Sequence, residues 1–149
     1  MGDDFPWGEV LSCPAAEDVA SAAEALAPLL PENLTLLLDG PMGAGKTFFA
    51  AALAEALGVK ERVTSPTYDL VNTYRCEGRN LVHVDAYRLA SEREAELLCV
   101  EDLLEEPWLL LVEWPEKAPA VAFGETWRLS IETPEGGGRR LRLRRGVGG

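Results

Sequence analysis

The sequence predicts an α/β fold: a mixed, mostly parallel sheet with helices on both faces and an antiparallel hairpin at its carboxyl end. Two short apolar runs carry the first half of this expectation. Leu34-Thr35-Leu36-Leu37-Leu38 and Leu109-Leu110-Leu111-Val112 run out into Asp39-Gly40 and Glu113, as strands buried on both faces of a parallel sheet do. Helix-forming segments lie before and after the first of them. The third observation is the alternation of apolar and polar residues near the end of the chain, on either side of Pro134-Glu135-Gly136-Gly137-Gly138. With 149 residues the chain has enough material for one core and too little for two, so a single domain over 1–149 is expected.

Each element follows from local chemistry. From about Pro14 to Leu30 an Ala-rich run, with Ser12 or Cys13 near its start and acids in its first turns, reads as a helix that Pro31 follows. The first apolar strand comes next, then a glycine-rich turn, then a helix over Phe48 to Leu57 stopped by Gly58. Asp69 to Arg75 and Leu81 to Asp85 read as strands of a hairpin, joined through Cys76-Glu77-Gly78-Arg79-Asn80. Ser91 to Leu98 reads as an acidic helix, and Leu109 to Val112 as the second buried strand. Trp127 to Glu132 and Arg140 to Arg144 alternate as a terminal hairpin with one wet face.

Composition narrows the function classes. The chain has 47% hydrophobic and 26% charged residues, ordinary for a globular protein. No stretch approaches the roughly 18 apolar residues of a membrane span, and the start Met1-Gly2-Asp3-Asp4 carries acids where a secretory signal has bases, so a cytoplasmic protein is expected. Cys13, Cys76 and Cys99 are far apart and lack companions at metal-ligand spacing, which predicts reduced thiols. A net charge of −11 disfavours sequence-independent binding to a nucleic-acid backbone. The charge is uneven, however. Arg139, Arg140, Arg142, Arg144 and Arg145 crowd the carboxyl end with no acid among them. They suit either a docking surface for RNA or an acidic partner, or an edge strand whose charges deter pairing.

Gly40-Pro41-Met42-Gly43-Ala44-Gly45-Lys46-Thr47 fits G-x-x-x-x-G-K-[ST] at every fixed position. Glycines at 40, 43 and 45 admit backbone conformations closed to other residues and turn successive N–H groups inward around phosphate oxygens. The helix that follows adds its positive end to the same anion. Lys46 is then expected on the terminal phosphates and Thr47 on Mg²⁺. Gly43, Ala44, Gly45, Lys46, Thr47 and Phe48 form the expected nucleotide-binding segment.

A metal-bound triphosphate needs carboxylates at neighbouring strand ends, and Asp85 and Glu113 are so placed. Asp85 is assigned to the metal side, usually through water, and Glu113 to orienting or activating the attacking water, with exchange of the two roles as the alternative. Both are candidate metal-side residues with Thr47. In Ser65-Pro66-Thr67-Tyr68 the proline stiffens a turn from which Thr67 is suited to sense the γ-phosphate, and Lys46 and Thr67 join Glu113 as candidate catalytic residues. His83 is the sole histidine and is expected to make a structural hydrogen bond. Trp114 offers a flat surface for a base or a partner.

Gly-Ala-Gly-Lys-Thr at 43–47, Ser-Pro-Thr-Tyr at 65–68, His-Val-Asp-Ala-Tyr-Arg at 83–88 and Glu-Trp-Pro-Glu at 113–116 occur in that order. Together, from about Ser12 to Leu143, they resemble the TsaE family, bacterial ATPases that assist synthesis of threonylcarbamoyladenosine next to the tRNA anticodon. The resemblance implies a three-layer P-loop NTPase fold, ATP and Mg²⁺ as ligands, and weak ATPase activity until the partners TsaB and TsaD are present, with tRNA met through the complex. It implies Lys46 and Thr47 as phosphate-loop residues, Thr67 as switch threonine, Asp85 as metal-side acid, and Glu113 with Trp114 as the catalytic and nucleotide-adjacent pair. Two departures stand out. The loop is entered through Asp39-Gly40-Pro41-Met42 where the family more often has an acid and Leu, and Leu98-Cys99-Val100-Glu101-Asp102 replaces a Gly-rich acidic stretch.

Other P-loop classes fit less well. A small-molecule kinase would call for an arginine-rich lid, and Arg75, Arg79 and Arg88 are scattered. A GTP switch would call for an Asn-Lys-x-Asp stretch, which the sequence lacks. A non-catalytic nucleotide-binding scaffold is harder to set aside: the presence of both Asp85 and Glu113 argues for hydrolysis, but not for fast hydrolysis.

Overall fold

The computed structural model describes residues 10–64, 66 and 70–146. Its strands are β1 (Val10–Cys13), β2 (Leu34–Asp39), β3 (Val71–Cys76), β4 (Arg79–Asp85), β5 (Trp108–Glu113), β6 (Glu125–Glu132) and β7 (Arg139–Arg144). The helices are α1 (Ala16–Leu26), α2 (Lys46–Ala56) and α3 (Glu92–Leu97). The apolar runs become the middle of the sheet because they have no polar face to offer water. β2 and β5 lie side by side in parallel, with β6 parallel to β2 and β4 parallel to β5. Antiparallel pairs finish both sides, giving the order β1-β7-β6-β2-β5-β4-β3. All strands but β3 and β7 therefore run the same way, and the sheet is mixed and mostly parallel, as the sequence predicts.

Helices cover both faces. Val19, Ala22 and Leu26 of α1 and Phe49, Ala50 and Leu53 of α2 pack on one face, over Leu36, Leu38, Leu109, Leu111 and Leu129. Ala95 of α3, Val100 and Val121 cover the other, over Leu37, Val82, Val84, Leu110 and Val112. Side chains alternate along a strand. Leu81 and Leu109 mark the α2 side, so His83 and Asp85 in β4 and Glu113 in β5 share that side, at the carboxyl ends of adjacent strands. The grouping of these three side chains follows from this parity.

Several local expectations are corrected. The first helix stops at Leu26 and continues as one 3₁₀ turn over Ala27–Leu29, because Pro28 has no N–H to extend an α-helix. α2 begins at Lys46, two residues earlier than its apolar pattern suggests. The expected five-residue hairpin link shrinks to Glu77-Gly78, with Gly78 at φ +82° and Cys76 opposite Arg79. Asp69, the expected first residue of that hairpin, lies outside the described residues. Cys99 adopts φ +51° to open a 3₁₀ turn over Val100–Leu103.

The largest difference is β1. Val10 to Cys13 pair in antiparallel register with Arg142 to Arg139, so β7 is an internal strand and its arginines are not edge charges. Cys13 and Cys76 are buried and Cys99 exposed, all as free thiols, and burial pushes the Cys13 and Cys76 thiols up. Among the described residues, no helix is long and apolar enough to cross a membrane.

Candidate functional site

The loop between β2 and α2 owes its path to its glycines. Gly40 has φ +154°, and a Cβ there would lie 2.6 Å from the Ile131 carbonyl oxygen on β6. Gly43 and Gly45 take φ +81° and +104°, in the left-handed region that other residues avoid. The Ala44 N–H closes a turn on the Pro41 carbonyl at 3.1 Å, and the Phe49 N–H makes the first helical bond, to the Gly45 carbonyl at 2.9 Å. The first N–H groups of α2 have no acceptor inside the helix, and they form its anion-seeking end. Gly40→Ala is expected to cost about 1–3 kcal/mol from backbone strain. The check is a lower denaturation midpoint at unchanged slope.

Lys46 opens α2 and is only 5% exposed. Its ammonium donates to the carbonyls of Gly40 at 2.5 Å and Pro41 at 3.0 Å and lies 4.0 Å from the centre of the Trp114 ring. Burial pulls its pKa down, against the opposing pull of Glu113, Glu116, Asp39 and Asp85. Trp114 is held in a left-handed conformation, φ +59°, that a bulky residue seldom takes. Its ring meets Tyr87 at 4.9 Å between centroids. Gly43, Ala44, Gly45, Lys46 and Trp114 thus come together. Phe48, 47% exposed, turns outward and lines with Thr47, Val59, Lys60, Arg62 and Thr64 a cleft of about 630 Å³ beside the loop.

Glu113 is the hub of the carboxylate side. It is 3% exposed, and the Thr47 hydroxyl donates across both its oxygens, at 2.8 and 3.0 Å. His83 Nε2 stands 2.7 Å from Glu113 Oε2. An ionised carboxylate has only lone pairs, so Nε2 carries the hydrogen. His83 is fully buried, and its Nδ1 has no hydrogen-bond partner. Its orientation therefore depends on Glu113. Asp85 pairs with Glu113 across β4 and β5 and accepts the Tyr87 N–H at 3.1 Å, which fixes the turn after β4. Thr67 lies outside the described residues.

This donor set fits a small hard cation. A hydroxyl at 47 and carboxylates at 85 and 113 are oxygen donors of the kind Mg²⁺ prefers. Among the described residues no cluster of three or more His, Cys, Asp or Glu forms an all-protein metal cage. The same acids would repel a bare triphosphate.

Two contacts at the site escaped the sequence. His83 was readable as a hydrogen-bonding residue, but its partner Glu113 is 30 positions away. Arg139 donates to the loop carbonyls of Ala44 at 2.8 Å and Gly43 at 3.0 Å, and nothing in the basic run marks it out from its neighbours. Arg140 and Arg142 meet Glu132 at 3.3 and 3.2 Å. Hydrogen bonds from Arg142, and then from Arg140, hold the Glu132 carboxyl below its usual range. Arg145 lies 6.0 Å from the centre of the Trp127 ring, so at least four of the five arginines are engaged within the fold, and the basic run is not one open docking patch. Of the scattered arginines, Arg79 is buried and donates to the Pro31 carbonyl at 2.5 Å, and Arg75 donates to Asn80 at 2.8 Å.

Residues 13–141 match the family model described as "Threonylcarbamoyl adenosine biosynthesis protein TsaE". Three curated relatives bear the name tRNA threonylcarbamoyladenosine biosynthesis protein TsaE. The protein of Treponema pallidum is 32% identical over 128 residues, covering 85% of this chain and 93% of its own length. That of Aquifex aeolicus is 40% identical over 103 residues, covering 68% and 72%. That of Haemophilus influenzae is 36% identical over 100 residues, covering 66% of this chain but 63% of the relative. The crystal structure of Bacillus subtilus YdiB superposes with a TM-score of 0.76, over 92% of this chain and 84% of that one, at 22% identity. At that identity the likeness is one of fold.

Proposed function

Because the chain belongs to the TsaE family of threonylcarbamoyladenosine biosynthesis, we propose that it is a Mg²⁺-dependent ATPase supporting TsaB and TsaD in this tRNA modification. The observation that carries the proposal is the bond between Thr47, at the end of the phosphate loop, and the buried carboxylate of Glu113. It joins an anion-binding helix end to an acid suited to act on water.

In this reading the N–H groups of Gly43 and of Gly45 to Phe48 surround the β- and γ-phosphates, while the Ala44 N–H holds the turn on the Pro41 carbonyl. Lys46 moves its ammonium from the Gly40 and Pro41 carbonyls onto phosphate oxygens, exchanging neutral acceptors for charged ones. Trp114 flanks the nucleotide and limits where Lys46 can reach. Mg²⁺, when bound, supplies neutralising charge between the phosphates and the acids. Thr47 and Asp85 would hold the ion. Glu113 orients the attacking water and accepts its proton, while the His83 hydrogen bond holds that carboxylate in place. Thr67 reports the γ-phosphate. Arg75 and Arg79 are engaged elsewhere, which favours water over a metabolite as acceptor. Turnover is weak alone and rises when partners complete the geometry. A protein acting on tRNA in this way belongs in the cytoplasm, and its acidity leaves tRNA contact to the other subunits.

The test is the threonylcarbamoyladenosine content of tRNA in a reaction assembled without TsaE. Adding this chain with ATP is expected to restore modification. Failure to restore it, with the other components active, contradicts the proposed role.

A further inference from the structure

We propose that Arg139, far from the phosphate-loop motif in sequence, is a positioning residue for phosphate binding: its guanidinium clamps the carbonyls of Gly43 and Ala44 and thereby sets which way the loop's N–H groups face. This rests on the nucleotide-binding reading above and adds a residue and a mechanism to it.

Arg139 spends its donors on backbone oxygens. Nε donates to the Ala44 carbonyl at 2.8 Å, Nη2 to the Gly43 carbonyl at 3.0 Å, and Nη1 to the Gly138 carbonyl at 2.7 Å. The base of the arm is fixed. Arg139 opens β7 in register with Cys13 of β1, and Gly138 packs so closely that a Cβ on it would lie 2.9 Å from the Cys13 carbonyl oxygen. The guanidinium thus ties the start of β7, itself paired with β1, to the loop.

The consequence comes from peptide planarity. In a trans peptide the C=O and the following N–H point in opposite directions. Holding the Ala44 carbonyl toward Arg139 turns the Gly45 N–H to the other side of the loop, where α2 presents its free N–H groups. The loop needs such a clamp because Gly43 and Gly45, at φ +81° and +104°, have wide conformational freedom to lose. A clamp that pre-orders them removes part of that cost from ligand binding. The planar fork of arginine matches two adjacent carbonyls, and a lysine ammonium cannot hold both in one plane. Because its partners are neutral carbonyls, the guanidinium also leaves its positive charge beside the anion site.

The test titrates wild-type protein, Arg139→Lys and Arg139→Gln with Mg-ADP, Mg-ATP and inorganic pyrophosphate by calorimetry, alongside steady-state hydrolysis. Both variants are expected to lose about tenfold or more in affinity for all three ligands, on the scale of a charge-assisted hydrogen bond. KM for ATP should rise by a similar factor while kcat at saturation stays within about twofold. Lysine, which keeps charge and stem, should not rescue. Loss of thermal stability with unchanged affinity at low temperature would show a merely structural residue and overturn the proposal. So would full rescue by lysine, which would reduce the effect to charge. Should arginine loss prevent folding in the glutamine variant, the lysine variant decides alone. Wild-type protein that binds none of the ligands would overturn the nucleotide reading and this one together, whereas wild-type binding with unaltered variants would overturn this one alone.

Discussion

Glu113→Gln is expected to bind Mg-ATP with near wild-type affinity and to hydrolyse it about 10²–10⁴-fold more slowly, the usual contribution of a positioned general base. Glutamine preserves the shape of the side chain and an oxygen to accept the Thr47 hydroxyl, so the end of the phosphate loop keeps its anchor. It removes the negative charge and the ability to take a proton. Glu113→Ala should be equally slow but less stable, since it strips the acceptor from the buried His83 Nε2–H, at a cost of about 1–3 kcal/mol. Single-turnover hydrolysis and equilibrium binding, measured on the same preparations, separate the two effects. If Glu113→Gln turns over within about threefold of wild type, a span too small for a general base, the water belongs to Asp85 instead.

Lys46→Ala is expected to weaken ATP binding by about 10–100-fold, from the roughly 1.5–3 kcal/mol of a hydrogen bond to a charged group. The ammonium is buried and already placed among loop carbonyls, with the Trp114 ring 4.0 Å away. It therefore loses little side-chain freedom when phosphate replaces those carbonyls. Lys46→Arg should not restore affinity, because the larger planar group does not fit between the loop and Trp114. Calorimetric titration of each variant, with a melting curve to confirm folding, gives the answer.

What the sequence could and could not show divides along range. Leu34 to Asp39 and Leu109 to Glu113 announced themselves as the central strands because burial on both faces leaves a continuous apolar run. The phosphate loop was equally plain, since its glycines and Lys46 are contiguous and each has a local reason to be there. Val10 to Cys13 was invisible as a strand: it is four residues long and its pairing partner is Arg139 to Arg142 at the far end of the chain. That pairing is also what turned apparent edge charges into an internal strand and put Arg139 under the loop. Glu113 and Asp85 were found as strand-end acids, but pattern alone could not say which one meets Thr47. Parity places both acids on the side of α2, and the strand order, which puts β5 rather than β4 beside β2, decides that geometry. His83 shows the same limit, because a buried histidine reads alike whether it faces a carbonyl or a carboxylate.

The central claim is that this chain spends ATP on water under partner control. The most direct measurement follows γ-labelled ATP with wild-type protein and Mg²⁺, alone and with TsaB and TsaD, and locates the label. The account predicts slow, Mg²⁺-dependent release of inorganic phosphate that the two proteins accelerate, with no label on any other product. Label transferred to a small-molecule acceptor, or no hydrolysis in the complete mixture, would contradict it.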